Sequence, residues 1–499
     1  MDRKEGLILL GIFLVVLAVR LTLAFSLPTF TYESYYHLRQ VEHIAQTGLP
    51  FFHDELSYGG RELRFLPGFH YVMAFFTLVL PLEFVAKVIP NLLMASLTFL
   101  VFLLAWKTTR NVRASLVAAA VGGFLPILYN TNSFTPETLF LPLILLAVYA
   151  FLNLDEKEYL LLYFFSLLAL SLTTAATFLL LIGFGIYLLL SLLEGKRLSR
   201  AELELIIFSA FFFLWVQFLF FKKTLLEQGA GFIWQNVPSP ILLDYFPSFS
   251  LTQALVSISL IPFLAGLWVV YKSLFEMKSG RLFLLISFVI STILLTWMRV
   301  IRFRLSLSFF ALILAILFAT FYAQFTDHIG RTKFSQYAKA ISFVLVVAVL
   351  ATLLLPALST ALRQEVASSD QIAAFQWLNR NTEETAGIVS TLEEGHLVTY
   401  YAQRRNMMDD KFNLIPDIEQ RFQDLHSLYT SSFETQAVDL MERYGMQYII
   451  LTPYGKEKYD ISLLKYRTSN CLRKVYDQKD IRIYRRLCTL RALNESGGE

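Results

Sequence analysis

Long apolar runs alternate with short polar segments along the first 360 residues of the chain. A helix that crosses a bilayer needs about 20 predominantly apolar residues. The pattern predicts eleven such spans and therefore a polytopic α-helical membrane protein. The predicted spans are 7–27, 83–106, 114–131, 137–153, 159–173, 175–193, 203–221, 251–271, 282–298, 303–323 and 338–360.

Two stretches need a further argument. Residues 159–193 carry no charge and would form a single helix of roughly 50 Å, so we expect a break at 172–174. Residues 66–80 are apolar but short, and a proline flanks each end. If they do not cross, most Lys and Arg clusters between spans fall on the side of the N-terminus, as the positive-inside rule requires. We therefore interpret 66–80 as interfacial or re-entrant, with a cytoplasmic N-terminus.

Composition supports the membrane class. Of 499 residues, 56% are hydrophobic and only 16% are charged, whereas an ordinary soluble domain carries about 25% charge. A soluble enzyme, a fibrous protein and a disordered chain are excluded. The net charge of +4 is too small to indicate a nucleic-acid partner.

The polarity shift near residue 360 predicts two domains. Residues 1–360 form the transmembrane domain, with outer loops 28–82, 132–138 and 222–250, and 361–499 form an extracytoplasmic α/β domain. In the latter, SSDQIAAFQWLNR and ETQAVDLMERYG are typical of helices, and GIVS, HLVTYY, QYIILT and IRIYR of strands. Cys471 and Cys488 either pair in an oxidising compartment or remain two buried thiols.

Two acids on the predicted outer face stand out. Glu33, Tyr36 and His37 share one face with Gln40 if TYESYYHLRQ is helical; the alternative is an amphipathic helix whose polar face is simply solvated. Glu137 is the only charge in its outer turn, and the alternative is a cap on a helix dipole. Two such carboxylates are suitable ligands for Mg²⁺ or Mn²⁺.

Three arginines lie between two late spans on the same face. Arg299, Arg302 and Arg304 oppose the positive-inside rule there. Arginine matches phosphate geometry with paired hydrogen bonds, although snorkelling to ordinary headgroups is the alternative. Taken together, the carboxylates and arginines predict a site for a lipid-linked phosphoryl donor.

This pattern resembles the GT-C glycosyltransferases, in particular the catalytic subunit of single-subunit oligosaccharyltransferase. The resemblance rests on YESYYHLR after the first span, the acid before the fourth span, and the Arg302–Phe303 pair that opens a late span. In addition, IVSTLEEGHLVTYYAQRRNMMDDKF is similar to the family's segment around Trp-Trp-Asp-Tyr-Gly.

The resemblance implies roles for individual residues. Glu33 matches the first-loop metal ligand, Glu137 the acidic pair of the second outer turn, and Arg302 the arginine that meets the donor phosphate. Glu393 takes the place of the motif's aspartate. Further candidates for contact with acceptor or donor are Tyr36, His37, Arg39, Glu394 and His396, and Arg299 and Arg304 are further candidates for the phosphate.

Two departures qualify the resemblance. Thr391 and Leu392 replace the motif's tryptophans, and 222–250 lacks the family's Thr-Ile-x-Glu motif. The pocket that recognises a glycosylation sequon is therefore expected to be absent or altered.

The expected activity is glycosyl transfer on the outer face of the cell membrane. A sugar or oligosaccharide would pass from a polyprenyl (dolichyl) phosphate or pyrophosphate to a protein, lipid or glycan acceptor. Two alternatives remain open. One is a transferase that moves a single sugar from polyprenyl phosphate, similar to protein mannosyltransferases; the other is a non-catalytic protein that binds or transports lipid-linked glycans among membrane lipids.

Overall fold

The computed structural model describes residues 2–229, 251–277, 279–412, 414–467 and 470–490. Most of the predicted outer loop 222–250 lies outside these residues. The chain divides into two compact units. The first contains Met1–Leu27 and most of 65–364, and the second contains Pro28–Arg64 and the chain from Glu365 onward. The prediction placed all of 28–82 in the transmembrane domain, whereas residues 28–64 pack within the second unit.

The first unit is helical and apolar. Within the described residues, eight helices are long and apolar enough to cross a membrane. They are Arg3–Ser26, Leu82–Thr109, Ala175–Leu193, Arg200–Glu227, Leu260–Met277, Gly280–Trp297, Phe303–Gly330 and Ser335–Leu362. Shorter helices are Gly68–Thr77, Val112–Gly123, Glu137–Phe151, Lys157–Thr173 and Leu251–Ile258. The polytopic helical class is confirmed, and the number of crossings stays a prediction.

Two predicted spans form helices shorter than expected. Val112–Gly123 and Glu137–Phe151 have 12 and 15 residues. The first ends early because Pro126 follows closely and cannot continue the hydrogen-bond ladder. It also packs tightly, since a Cβ on Gly123 would lie 2.7 Å from the Val16 side chain. Short helices of this kind need close neighbours to satisfy their ends in a membrane.

Breaks in the apolar runs have local causes. The predicted break at 172–174 is confirmed: one helix ends at Thr173, Thr174 is extended, and the next helix starts at Phe178. The predicted span 251–271 is interrupted at Ser259, whose φ is +73°, and Pro262 lacks the N–H that would bond to the Ile258 carbonyl. The segment 66–80 contains only the ten-residue helix Gly68–Thr77, about 15 Å long, which is too short to cross.

Arg20 is buried in the first unit, and its guanidinium group contacts neighbouring residues there. Its Nε donates to Asn91 Oδ1 at 3.1 Å and its Nη1 to the Leu128 carbonyl at 3.0 Å. The guanidinium also lies 5.1 Å from the centre of the Tyr129 ring. A charge inside an apolar bundle is tolerated only with such partners. Arg20 thereby fixes the turn that precedes Glu137.

The second unit has α/β character. Within the described residues it holds one five-stranded sheet of order β4-β3-β5-β7-β6 and a small hairpin β1-β2. The strands are His53–Asp54 (β1), Arg61–Glu62 (β2), Gly387–Val389 (β3), Arg405–Asn406 (β4), Tyr448–Leu451 (β5), Leu472–Gln478 (β6) and Ile481–Arg486 (β7). Its helices are Tyr32–Thr47, Ser369–Asn381, Gly395–Leu397, Ile418–Thr430, Glu434–Arg443 and Pro453–Tyr459. Strands β3, β4 and β5 run parallel, while β7 is antiparallel to β5 and β6.

Most of the predicted elements of this unit are confirmed. The helix Ser369–Asn381 begins after a Ser368 cap, and the helix Glu434–Arg443 forms as the pattern indicates. The strands predicted in GIVS, QYIILT and IRIYR are present. The strand predicted for HLVTYY is wrong: 395–402 forms one helical turn and a wider π-type turn. Nearly all of this segment is buried. Its sequence therefore does not alternate between apolar and polar residues, and an apolar run without alternation does not distinguish a strand from a helix.

Cys471 and Cys488 form a disulfide that closes the β6-β7 hairpin, 17 residues apart in sequence. Of the two alternatives left open by the sequence, the structure has the paired one. Because β6 is an edge strand, the bond holds it against β7 where the ladder ends.

We expect Cys471→Ser/Cys488→Ser to destabilise the second unit by about 3 kcal/mol, because the unfolded chain regains the freedom of the closed loop. Limited proteolysis of the full-length protein should then cut within 470–490 much faster than in the wild type. The chain has only two cysteines, so a reductant should reproduce the effect in the wild type and leave the double variant unchanged. Equal cleavage rates would contradict a stabilising role for the bond.

Candidate functional site

The polar face of the helix Tyr32–Thr47 is buried within the second unit. Tyr36, His37 and Gln40 are each less than 10% exposed, and Glu33 is half-buried. Aromatic contacts cover this helix: the Tyr36 ring lies 5.8 Å from the His396 ring, and the Tyr35 ring lies 5.3 Å from the Tyr401 ring. The shared face predicted from spacing is confirmed, and the solvated-helix alternative is excluded.

A chain of ionic contacts starts from Glu33. Lys411 Nζ lies 2.5 Å from Glu33 Oε1 and 3.5 Å from Asp410 Oδ1. Asp410 Oδ1 is in turn 2.6 Å from His396 Nε2, and His37 Nε2 lies 3.9 Å from Glu33 Oε1. The structure thus brings together three of the predicted residues, Glu33, His37 and His396, around Lys411 and Asp410.

Asp409 lies next to this cluster and is held by hydrogen bonds and an ion pair. Its carboxylate accepts hydrogen bonds from Ser57 Oγ at 2.6 Å, Asn406 Nδ2 at 3.0 Å and the backbone N–H of Lys411 at 2.9 Å. Oδ1, the oxygen that accepts from Lys411, also pairs with Arg61 Nη2 at 3.2 Å. Asp409 therefore ties the first outer loop to the segment that carries Asp410 and Lys411.

Gly395 allows the close approach that this arrangement needs. A Cβ at this position would lie 2.2 Å from the Met408 carbonyl oxygen and 2.9 Å from Asp409 Cβ. Only glycine lets the turn that carries His396 pack directly on the segment before Asp409. Close packing therefore explains why this chain has a glycine at 395, the position that corresponds to the glycine of the Trp-Trp-Asp-Tyr-Gly motif.

The local charges shift the pKa values of this cluster. Burial alone would raise the pKa of Asp410, but Lys411 and His396 outweigh it and hold that pKa well below its usual range. Burial likewise opposes charge on Asp409, yet Arg61 and His396 lower its pKa. Burial disfavours protonated His396, but the charges of Asp410 and Asp409 raise its pKa. The neighbouring charges therefore favour the ionised carboxylates of Asp409 and Asp410.

The cluster has the donor chemistry of a cation site. Among the described residues, His396, Asp409 and Asp410 form a group whose potential ligand atoms lie within 4.8 Å of one another. Asp409 already accepts four donors, so Asp410, His396 and nearby Glu33 are the more available ligands. Two carboxylates and one imidazole suit a divalent cation. The chemistry therefore fits the metal that the sequence led us to expect, without distinguishing Mg²⁺ from Mn²⁺.

Three other candidates from the sequence analysis form ion pairs or hydrogen bonds with neighbouring residues of the second unit. Arg39 forms a two-pronged ion pair with Asp54 at 2.7 and 2.9 Å. Glu393 pairs with Lys458. Glu394 is completely buried and accepts hydrogen bonds from Gln371, Thr391 and Thr452, and burial raises its pKa.

The remaining candidates lie in the first unit. Glu137 is the first residue of its helix, directly after Pro136, as the pattern predicts. Arg302 precedes the helix Phe303–Gly330 as its N-terminal cap residue. Arg302 is half-buried, and Arg299 and Arg304 are exposed. Because Glu33 and Glu137 belong to different units, their joint metal site stays a prediction.

An apolar groove lies between the two helices whose connecting segment carries Arg299 and Arg302. It has a volume of about 310 Å³ and is formed by the end of the helix Gly280–Trp297 and the start of the helix Phe303–Gly330. Trp297 on its wall is 80% exposed. The lining residues are Thr292, Ile293, Thr296, Trp297, Phe303, Ser306, Leu307 and Phe310. Arg302 directly precedes Phe303, which lines the groove.

Sequence reasoning missed Asp409, Asp410, Lys411 and Arg61 as members of the site. A signal was present, because Asp409, Asp410 and Lys411 are three consecutive charges after the apolar pair Met407–Met408. Only the fold brings them to the first loop, which is more than 340 residues away in sequence.

Comparisons with known proteins agree with this architecture. No protein-family model matches the sequence, and no curated protein is similar to it. Solved structures do match. The archaeal oligosaccharyltransferase AglB of Archaeoglobus fulgidus, in complex with an inhibitory peptide and a dolichol-phosphate, has a TM-score of 0.70 at 14% identity. That match covers 90% of this chain and 70% of AglB.

Two further structures are also similar. The A. fulgidus oligosaccharyltransferase in complex with Zn and sulfate has a TM-score of 0.68 at 15% identity, and the match covers 88% of this chain and 67% of that one. ArnT from Cupriavidus metallidurans, bound to undecaprenyl phosphate, has a TM-score of 0.58 at 10% identity, with 97% of this chain and 98% of ArnT covered. The chain therefore shares the fold of these solved structures, the GT-C fold that the sequence led us to expect.

We expect Asp409→Asn to destabilise the protein by about 3 kcal/mol, because it leaves the buried Arg61 charge without its carboxylate. The folded state lowers the pKa of Asp409, so this stabilisation is present above the unfolded pKa and is lost as the pH falls through the folded pKa. The gap in apparent melting temperature between wild type and variant should therefore shrink below about pH 4.

The matched control is Asp439→Asn, which removes an exposed pair with Arg443 and should change the melting temperature little. A gap that stays constant on acidification would contradict the charge-based explanation.

Proposed function

We propose that this protein is a membrane glycosyltransferase that uses a polyprenyl-linked sugar donor. It would transfer a sugar or oligosaccharide from a polyprenyl phosphate or pyrophosphate to a protein, lipid or glycan on the outer face of the cell membrane. The GT-C fold supports the reaction class. The observation that carries the donor class is the apolar groove whose wall includes Phe303, the residue that follows Arg302.

The groove and the arginines suit the two halves of such a donor. Apolar walls exposed on helices of membrane length accept an isoprenoid chain, which lies in the same hydrocarbon environment. Arg302 and its neighbours Arg299 and Arg304 supply positive charge at the end of these helices, where a lipid phosphate lies. Two solved structures that share this fold contain a polyprenyl phosphate: AglB with a dolichol-phosphate and ArnT with undecaprenyl phosphate.

The proposed mechanism is an inverting displacement at the anomeric carbon. The acceptor heteroatom forms a bond to that carbon while the bond to the phosphate oxygen breaks, and its electron pair leaves with the phosphate. Arg302 neutralises the charge that grows on the departing phosphate. Glu33 orients the acceptor and takes its proton. When no metal is bound, the partly buried ion pair with Lys411 holds this carboxylate in place.

A divalent cation would be held by Glu33, with Asp410 and His396 from the same unit. When bound, it would supply positive charge to the donor's phosphate group.

A second candidate is transfer of a single sugar from a polyprenyl monophosphate. The match to ArnT, a structure bound to undecaprenyl phosphate, favours it and covers 97% of this chain and 98% of ArnT. The loss of both motif tryptophans, at Thr391 and Leu392, also weakens the case for an oligosaccharyl transfer to a sequon.

One assay separates these possibilities. Membranes that contain the protein would be incubated with a mixed pool of polyprenyl-linked sugars and Mn²⁺, and released lipids identified by mass spectrometry. Release of polyprenyl pyrophosphate would indicate the oligosaccharyltransferase-type reaction, and release of polyprenyl monophosphate the single-sugar reaction. If neither exceeds membranes without the protein, the enzymatic proposal is wrong and a binding or transport role takes its place.

We expect Glu33→Gln to lower the rate of lipid release at least a hundredfold, because the amide cannot accept the acceptor's proton. The matched control is Glu62→Gln, in the same loop but exposed and paired with Arg64, which should retain activity. Unchanged turnover in Glu33→Gln would rule out the role given to this residue.

We expect Arg302→Ala to raise the donor concentration needed for half-maximal rate about tenfold, because one charged contact to phosphate is lost. The control is Arg331→Ala at the far end of the same helix, where the guanidinium pairs with exposed Asp327. A donor requirement that rises equally in both variants would disprove a specific phosphate contact at Arg302.

A further inference from the structure

Lys411 occupies a position between two acids that are both suited to a cation. Its ammonium lies 2.5 Å from Glu33 and 3.5 Å from Asp410. It also lies 5.3 Å from the centre of the Tyr36 ring, within the range of a cation–π contact. The side chain is only 17% exposed, so water screens these interactions weakly.

The backbone makes the position of this ammonium part of the fold. The Lys411 N–H donates to Asp409 Oδ1 at 2.9 Å, and Asp409 is anchored by Ser57, Asn406 and Arg61. The lysine stem therefore starts from a fixed point beside Glu33. Such a contact differs from an exposed surface pair, whose two side chains must be ordered for little gain.

A divalent ion and this ammonium need the same oxygens. Mg²⁺ and Mn²⁺ bind carboxylate oxygens at about 2.0–2.3 Å, and Glu33 Oε1 and Asp410 Oδ1 are both in contact with Lys411 Nζ. Two cations in this small space would repel each other strongly. A metal can therefore bind these oxygens well only when the ammonium moves away.

We propose that Lys411 is a built-in counter-cation that competes with a divalent metal ion for Glu33 and Asp410. The inference rests on the proposed role of Glu33 as a metal ligand and deepens it. Metal affinity at this site would be weak in the native protein, because binding must first displace an ion pair. Lys411 is thus a positioning residue whose ammonium holds Glu33 when no metal is bound.

The test is direct measurement of Mn²⁺ binding to the purified full-length protein, by electron paramagnetic resonance of free Mn²⁺. We expect Lys411→Met to bind one Mn²⁺ at least tenfold more tightly than the wild type, because the variant keeps the apolar stem and loses the competing charge. Adding Glu33→Gln to Lys411→Met should abolish the gain. Because no sugar transfer is measured, this result stands or falls separately from the proposed enzymatic activity.

The matched control is Lys458→Met. Lys458 pairs with Glu393 in the same unit and is 19% exposed, so its loss removes a comparable ion pair away from the cluster. Mn²⁺ affinity should not change. Equal affinity in wild type and Lys411→Met, or a gain that survives removal of Glu33, would overturn the proposal.

Misfolding of Lys411→Met would also be informative. If the variant aggregates without metal, Mn²⁺ present during purification should restore a single monodisperse species, because the ion replaces the missing charge and stabilises the native state by mass action. Mg²⁺ should act similarly at higher concentration. Aggregation that Mn²⁺ does not reverse would contradict the proposal.

Discussion

Burial of the charged face of the helix Tyr32–Thr47 is the constraint on which the second unit depends. Glu33 and Asp410 can be withdrawn from water only because the Lys411 ammonium lies against both. Asp409 can be buried only because Arg61 and three further donors surround it. Removal of a single member leaves an uncompensated charge, which costs several kcal/mol. The first loop and the segment after β4 are therefore held together by charge as much as by apolar contact.

The first unit also buries a charge, that of Arg20, but stabilises it with uncharged partners. Arg20 is withdrawn into an apolar bundle, and its guanidinium is satisfied by an amide oxygen, a carbonyl and a tyrosine ring. Asn91 also donates to the Thr131 carbonyl at 2.8 Å. This network sets the conformation of the turn before Glu137. In both units, buried charged residues hold together segments that are far apart in sequence.

Apolar length was sufficient to predict the membrane class and most helices, because the cost of exposing backbone polar groups in lipid leaves few alternatives. It was insufficient where local packing decides, as at Gly123 and Ser259, since close approach and a positive φ leave no hydrophobic signature. Alternation failed for HLVTYY because both sides of that segment are buried. Spacing correctly placed Glu33, Tyr36 and His37 on one face. It could not reveal Lys411 or Asp410 as their neighbours, because that contact joins residues 378 positions apart.

The most direct test of the donor assignment is photoaffinity labelling in native membranes. A photoreactive polyprenyl phosphate would be crosslinked to the full-length protein and the modified peptides mapped by mass spectrometry. We expect labelling to concentrate in residues 292–310, which line the groove and include Arg302, and to fall when unlabelled polyprenyl phosphate is added. Labelling spread evenly over the apolar helices, or labelling at 292–310 that the competitor does not reduce, would contradict a specific polyprenyl-phosphate site.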